Sequence, residues 1–147
     1  MFRKKMETCI EIDATPERVW EVLADLSSFP QWNPMIRQAS GELRDGARLK
    51  VRFEPEGRKG RTFRPRLTVV DPGRELRWTG WPRLPGVFDM DHYWIIEEIP
   101  EGKSRLRHGA SVSGLIAPLA GKALLRSARE PFEAMNRAHK LRAEGKG

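Results

Sequence analysis

Two histidines and two aspartates carry the side chains here whose chemistry could reach beyond packing. In "FDMDHYWII", residues 88–96, Phe88, Met90, His92, Trp94 and Ile96 share one parity, and Asp89, Asp91 and Tyr93 share the other. In "RLRHGASV", residues 105–112, Leu106, His108, Ala110 and Val112 fall together, with Arg105 and Arg107 opposite. An imidazole on an apolar face can be a satisfied core group, can bind a ligand carbonyl, or can act as acid or base. If the turn over 98–104 keeps both apolar faces inward, Ile96 lies opposite His108. His92 then sits ~13 Å from His108, at ~3.3 Å per residue. That distance excludes a shared metal, and no third ligand is evident. Asp89 and Asp91 resemble a carboxylate pair, but their parity predicts a solvated sheet face. No HExxH, CxxC, phosphate loop, nucleophile elbow or glycine-rich dinucleotide turn occurs, so no cofactor and no metal are expected. An enzyme built on these residues would have to shape its substrate with one or two polar groups.

The elements that would position these groups follow from pattern. Residues 6–13, "METCIEID", alternate with Thr8, Ile10 and Ile12 on one side, a half-buried strand. "ATPERVWEVLADL" then opens a helix with Thr15 as N-cap and Pro16 at the first position. Its apolar stripe is Val19, Val22, Leu23 and Leu26. "SSFPQWNPMI", residues 27–36, is an apolar connector whose two prolines bias Phe29 and Asn33 toward extended backbone. From Arg37 to Val112 the chain reads as six antiparallel strands, among them "TFRPRLTVV" and "ELRWTGW", separated by turns at Asp45-Gly46, 55–60, Pro72-Gly73 and 98–104. Their inward sets are Leu49, Val51 and Phe53, then Phe63, Leu67 and Val69, then Leu76 and Trp78. Pro65 marks an edge or a bulge. The period changes at the end. Leu125, Ala128, Phe132, Met135 and His139 define one face of a long helix, which Pro131 should kink. "SGLIAPLAG", just before it, holds enough large aliphatics to predict core packing over a lid or a membrane contact.

Length, charge and cysteine content narrow the classes. The 147 residues suit one domain, 1–147, able to bury a core without staples. No apolar run reaches the ~20 residues of a membrane span, and the N-terminus lacks a signal-peptide pattern, so a cytoplasmic protein without stable membrane insertion is expected. The lone Cys9 allows no internal disulfide and reads as a small hydrophobe. Net charge is +7. Residues 37–66 hold ten Lys/Arg against four acids, and residues 120–147 hold seven against three. The arginines of the strands alternate outward without interleaved aromatics, so solvated faces are expected rather than a nucleic-acid partner.

The order strand, short helix, apolar connector, strands, long helix resembles the helix-grip fold of the START-like superfamily, the birch-pollen-allergen type. "ATPERVWEVLADLSSFPQWNP", "DPGRELRW" and the run from "FDMDHYWII" to "FEAMNRAHKLRAE" resemble the polyketide cyclase/dehydrase and lipid-transport family. The resemblance implies an α+β fold. A curved antiparallel sheet of about seven strands would wrap the C-terminal helix, with short helices after the first strand and a cavity for a hydrophobic molecule between sheet and helix. On that reading Phe63, Leu67, Trp78, Phe88, Met90 and Trp94 line the cavity from the sheet. His92 and His108 are its polar members, Phe132 and Met135 face it from the helix, and Trp32 closes one end. The expected partner is a hydrophobic small molecule or lipid, bound by a monomer or homodimer. A non-catalytic carrier fits the absence of a catalytic constellation. A cyclase/dehydrase-type enzyme acting on a polyketide-like or aromatic substrate, with His92 or His108 as its acid–base group, is the alternative.

Overall fold

In the computed structural model, residues 3–80 and 86–145 are described. Trp81, assigned above to the strand "ELRWTGW", lies outside them. The chain runs β1 (Arg3–Ile12), α1 (Pro16–Ala24), a 3-10 turn, α2 (Phe29–Trp32), then β2 (Ile36–Ser40), β3 (Lys50–Phe53), β4 (Arg61–Phe63), β5 (Arg66–Asp71), β6 (Glu75–Gly80), β7 (Asp89–Ile99) and β8 (Lys103–Ser113). The helix α3 (Ala117–Ala143) closes it. Every strand pair is antiparallel, in the orders β1-β8-β7-β6-β5 and β2-β3-β4. The curved sheet grips α3, which lies across β1 and β8. This is the expected helix-grip architecture.

The local chemistry behaves as anticipated at the first helix. Thr15 Oγ1 accepts from the Arg18 N–H at 3.2 Å, Pro16 occupies the first turn, and Val19, Val22, Leu23 and Leu26 are buried. The connector departs from expectation. Asn33 is extended, but Phe29 is helical (φ −53°, ψ −40°), because Pro30 falls in the first turn of α2, where no N–H is required. Phe29 is buried there, and its carbonyl accepts the Asn33 N–H at 2.8 Å. The buried Asn33 side chain then accepts the N–H groups of Met35 and Ile36, which turns the chain into β2.

The run expected as one strand, "TFRPRLTVV", splits at Arg64–Pro65 into β4 and β5, which belong to different halves of the sheet. Proline has no N–H for the ladder, so the chain changes partner there. The Pro65 carbonyl still accepts from Leu49 N, and Leu67 N donates to the Ala47 carbonyl, which stitches the halves together. A register shift between Leu67 and Val69 reverses the parity after it. Val70, opposite Leu76, packs on the core in place of the expected Val69.

Burial is not confined to the helix-facing side. Tyr93 points away from α3, as its parity requires, yet is 1% exposed. Its ring lies over Gly109, its cross-strand partner, and its hydroxyl donates to Glu7 at 2.7 Å. Glu7 also takes two N–H bonds from Arg107. Cys9, read as a small hydrophobe, is exposed, because it takes the outer parity of β1. Leu115 and Leu119, expected in the core, are 80% and 88% exposed. The chain turns at Gly114 (φ 107°), so the first turns of α3 present Ala117 and Gly121 to the sheet, and the leucines face outward. The helix continues through Pro131 to Ala143.

Gly109 leaves no room for a side chain. A Cβ there would meet the Tyr93 ring and, at 2.6 Å, the Met6 carbonyl oxygen. Gly109→Ala is expected to lower unfolding free energy by about 2–3 kcal/mol in urea melts, the usual scale of overpacking against backbone. A change under about 0.5 kcal/mol would show that β1 and β8 separate easily.

Candidate functional site

The register of β7 and β8 brings the two candidate histidines together. Pro100–Gly102 form a three-residue turn, tighter than expected, with Glu101 and Gly102 both at φ 70°. Trp94, not Ile96, therefore lies opposite His108, and His92 is its diagonal neighbour. The two Nε2 atoms are 2.7 Å apart, which overturns the separation of ~13 Å expected from strand spacing. Ring centroids 4.9 Å apart with planes only 16° apart require an edge-to-edge contact, each nitrogen aimed at the other. Phe132 of α3 stacks on both rings, at 4.7 Å on His92 and 4.2 Å on His108. Trp94 also lies parallel to both, at 4.2 and 4.9 Å.

Behind the pair runs a chain of hydrogen bonds. His108 Nδ1 meets Asn136 Oδ1 of α3 at 2.7 Å. Asn136 Nδ2 donates to Thr8 Oγ1 of β1 at 2.8 Å, and Thr8 Oγ1 donates to the His108 carbonyl at 2.7 Å. His139, one turn further along α3, shares its Nε2 with the Val19 carbonyl of α1 at 3.0 Å. Asn136 and Thr8 were absent from the residues singled out by sequence. The available signal was spacing: Asn136 falls four residues after Phe132 and three before His139, on the same helix face. Thr8 shares the inward parity of β1.

Burial governs the ionisation of these groups. Desolvation holds His92 well below the ordinary imidazole value, and the neighbouring His108 adds to the effect. Burial lowers His108 to about 3, partly opposed by its bond to Asn136. His139 is lowered to about 4 by burial, against the opposing pull of the Val19 carbonyl.

The interior behind the histidines is filled. Leu23, Phe29, Trp32, Asn33, Trp94, His108, Met135, Asn136 and His139 enclose a gap with no room even for water. Trp32 packs against α3 as expected, 5.2 Å from the His139 ring, and its buried Nε1 has no partner among the described residues. The open space lies elsewhere. A cleft of about 440 Å³ runs between Arg61–Pro65 on one side and Trp78, Gly80, Met90 and His92 on the other. It exists because Pro65 sends β4 away from β6. Phe63 and Trp78 meet edge to face across it at 6.4 Å. The cavity expected between sheet and α3 is closed; of the residues assigned to it, Phe63, Trp78, Met90 and His92 line this separate cleft instead. Trp94, His108 and Phe132 form the wall behind His92. Leu67 and Phe88 are core, Met135 faces the filled gap, and Trp32 closes that gap rather than the cleft. Asp89 and Asp91 lie outside, as expected. Asp89 accepts the Gly86 N–H, and Asp91 pairs with Thr79, Arg77 and Arg3. Among the described residues no cluster of three or more His, Cys, Asp or Glu could hold a metal. None of the described helices is long and apolar enough to cross a membrane.

An unfolded histidine titrates near 6.5. Because all three folded values lie lower, the unfolded chain takes up protons first as pH falls. The stability tied to neutral histidines is complete above about pH 6.5 and is lost toward pH 4, by about 1.4 kcal/mol per pH unit for His108 and for His139, and burial of His92 acts in the same direction. Urea melts between pH 8 and 4.5 should show this fall, and His139→Gln should make it shallower. Equal stability at pH 7.5 and pH 5 would mean that the histidines protonate in the folded state.

The family model for polyketide cyclase / dehydrase and lipid transport proteins matches residues 3–143. No curated protein matches the sequence. Among solved structures, the di-domain ARO/CYC StfQ from the steffimycin biosynthetic pathway superposes with a TM-score of 0.77 at 14% identity, covering 98% of this chain. The chain spans 51% of the length of that protein. A START superfamily protein from Mycobacterium smegmatis gives 0.75 at 19% identity over 97% of this chain and 99% of that one. A norcoclaurine synthase point mutant from Thalictrum, in complex with a transition state analogue, gives 0.73 at 14% identity over 99% and 98%. At such identities these likenesses establish the fold, and the chain belongs to the polyketide cyclase / dehydrase and lipid transport family.

Proposed function

We propose that the protein binds a planar hydrophobic small molecule in the cleft between β4 and β6–β7, with the polar end of the ligand at Arg61 and Arg64. The observation that carries this reading is the cleft itself. Its floor and walls are Phe63, Trp78, Met90 and His92, and no carboxylate among the described residues lines it. Its volume falls within the about 300–1,000 Å³ of small-molecule sites. The Arg61 guanidinium stands 5.9 Å from the Phe63 ring, and neither Arg61 nor Arg64 forms an ion pair among the described residues. An anionic or strongly polar ligand end would be matched there. Binding without chemistry, as in a carrier, needs nothing further from the site. A second reading, acid–base chemistry on a bound aromatic or polyketide-like substrate, is favoured by the His92–His108 contact at the cleft wall. The norcoclaurine synthase likeness shows only that this fold can house an enzyme.

Anilinonaphthalene sulfonate, a planar aromatic anion, probes the first reading. Its fluorescence titration should report saturable binding. Met90→Trp, which fills the cleft, and Phe63→Ala, which strips one wall, should each weaken binding roughly tenfold or more. Unchanged affinity in both variants, with folding verified by circular dichroism, would place the dye elsewhere and sink the reading.

A further inference from the structure

The direction of each hydrogen bond behind His92 can be assigned from one end. Thr8 Oγ1 lies 2.7 Å from a carbonyl oxygen, that of His108, which can only accept. The single hydroxyl proton of Thr8 is therefore committed to it. The atom of Asn136 that meets Thr8 must be the donating Nδ2, which turns Oδ1 toward His108. His108 Nδ1 must then carry a proton to give to Oδ1. In this buried, desolvated ring the neutral form prevails, so His108 Nε2 is a lone pair. The proton in the 2.7 Å contact between the histidines belongs to His92 Nε2. His92 in turn is neutral, so its Nδ1 is a lone pair. That nitrogen has no protein partner among the described residues. It is not sealed away, since Trp32 Nε1 alone among the described buried side-chain N and O atoms lacks a partner. His92 lines the cleft, and the cleft is where a ligand would meet that nitrogen.

We propose that Thr8, Asn136 and His108 lock His92 as a hydrogen-bond acceptor in the cleft wall, so that the ligand places a donor there, a phenolic or other hydroxyl rather than a carbonyl or ether. This assignment rests on the cleft as the binding site. It fixes the polarity that the cleft reading leaves open. A ligand carbonyl at Nδ1 would face lone pair against lone pair. A planar ligand would present its hydroxyl to His92 between Trp78 and Met90, with its polar end outside at Arg61 and Arg64. Thr8, Asn136 and His108 are positioning residues in this scheme, since they reach the ligand only through His92.

Two measurements test it. The first needs no ligand. Long-range proton–nitrogen correlation spectra of the histidine-labelled protein should show His92 with the proton on Nε2 and His108 with the proton on Nδ1. A proton on His92 Nδ1 would overturn the assignment. In His108→Leu the acceptor for His92 Nε2 is gone, and the His92 signal should become a mixture of tautomers. A pure Nε2–H form in that variant would show that the chain does not do the locking. The second measurement compares 2-naphthol with 2-methoxynaphthalene, which differ in the donor. The naphthol should bind roughly tenfold tighter, the scale of one buried hydrogen bond, and the difference should vanish in His92→Phe. Equal binding of both by the unaltered protein refutes the acceptor role while leaving the cleft intact as a site. If neither binds and anilinonaphthalene sulfonate does not bind either, the cleft reading falls and this proposal falls with it.

Discussion

A polar group buried in an apolar core must find its partner there, and in this protein that requirement is met by one chain of side chains. Thr8 on β1, His108 on β8, Asn136 on α3 and His92 on β7 are linked by bonds of 2.7–2.8 Å. Each link joins a different element. Leaving one member unpaired costs about 1–3 kcal/mol, whereas the net gain from making a bond is smaller. The chain therefore specifies more than it stabilises. A shift of α3 along the sheet, or of β7 against β8, would strand a buried imidazole or amide. The aromatic rings of Trp94 and Phe132 add apolar contact around the same groups and exclude water from them.

That constraint shapes the rest of the interior. Because Asn136, His139, Met135 and Trp32 are drawn onto the sheet, the space between helix and sheet is closed behind His92. The cleft with aromatic walls lies instead where the sheet itself parts, at Pro65. The fold is shared with the ARO/CYC and norcoclaurine synthase structures, yet the usable space follows from side chains particular to this chain. His92 stands at the boundary between the two regions. One ring nitrogen belongs to the core network and the other to the cleft.

Much of this was legible in the residues. Alternation on β7 and β8 sorted His92, Trp94 and His108 inward and Asp89 and Asp91 outward, because side chains on a strand alternate whatever its partners do. The capped start of α1 and the buried face of α3 followed equally from local period and end signals. What failed depended on pairing. The distance between His92 and His108 turned on a two-residue difference in register, set by two positive-φ residues in the Pro100–Gly102 turn. Val69 and Val70 exchanged roles because of an irregularity at Thr68. Tyr93 is buried on the outer face because Gly109 happens to lie opposite it. Leu115 and Leu119 were read as core because composition does not say which way a helix leaves a sheet.

The amino-acid sequence alone determined the broad order of elements, the buried faces of α1, β7 and β8 and the family to which the chain belongs, since propensity, period and capping act over a few residues. Tertiary structure decided which buried polar groups meet, where the sheet opens and which nitrogen of His92 faces the opening. Those outcomes rest on contacts between residues as far apart as Thr8 and Asn136, and hydrogen-bond direction has meaning only once both partners are in place.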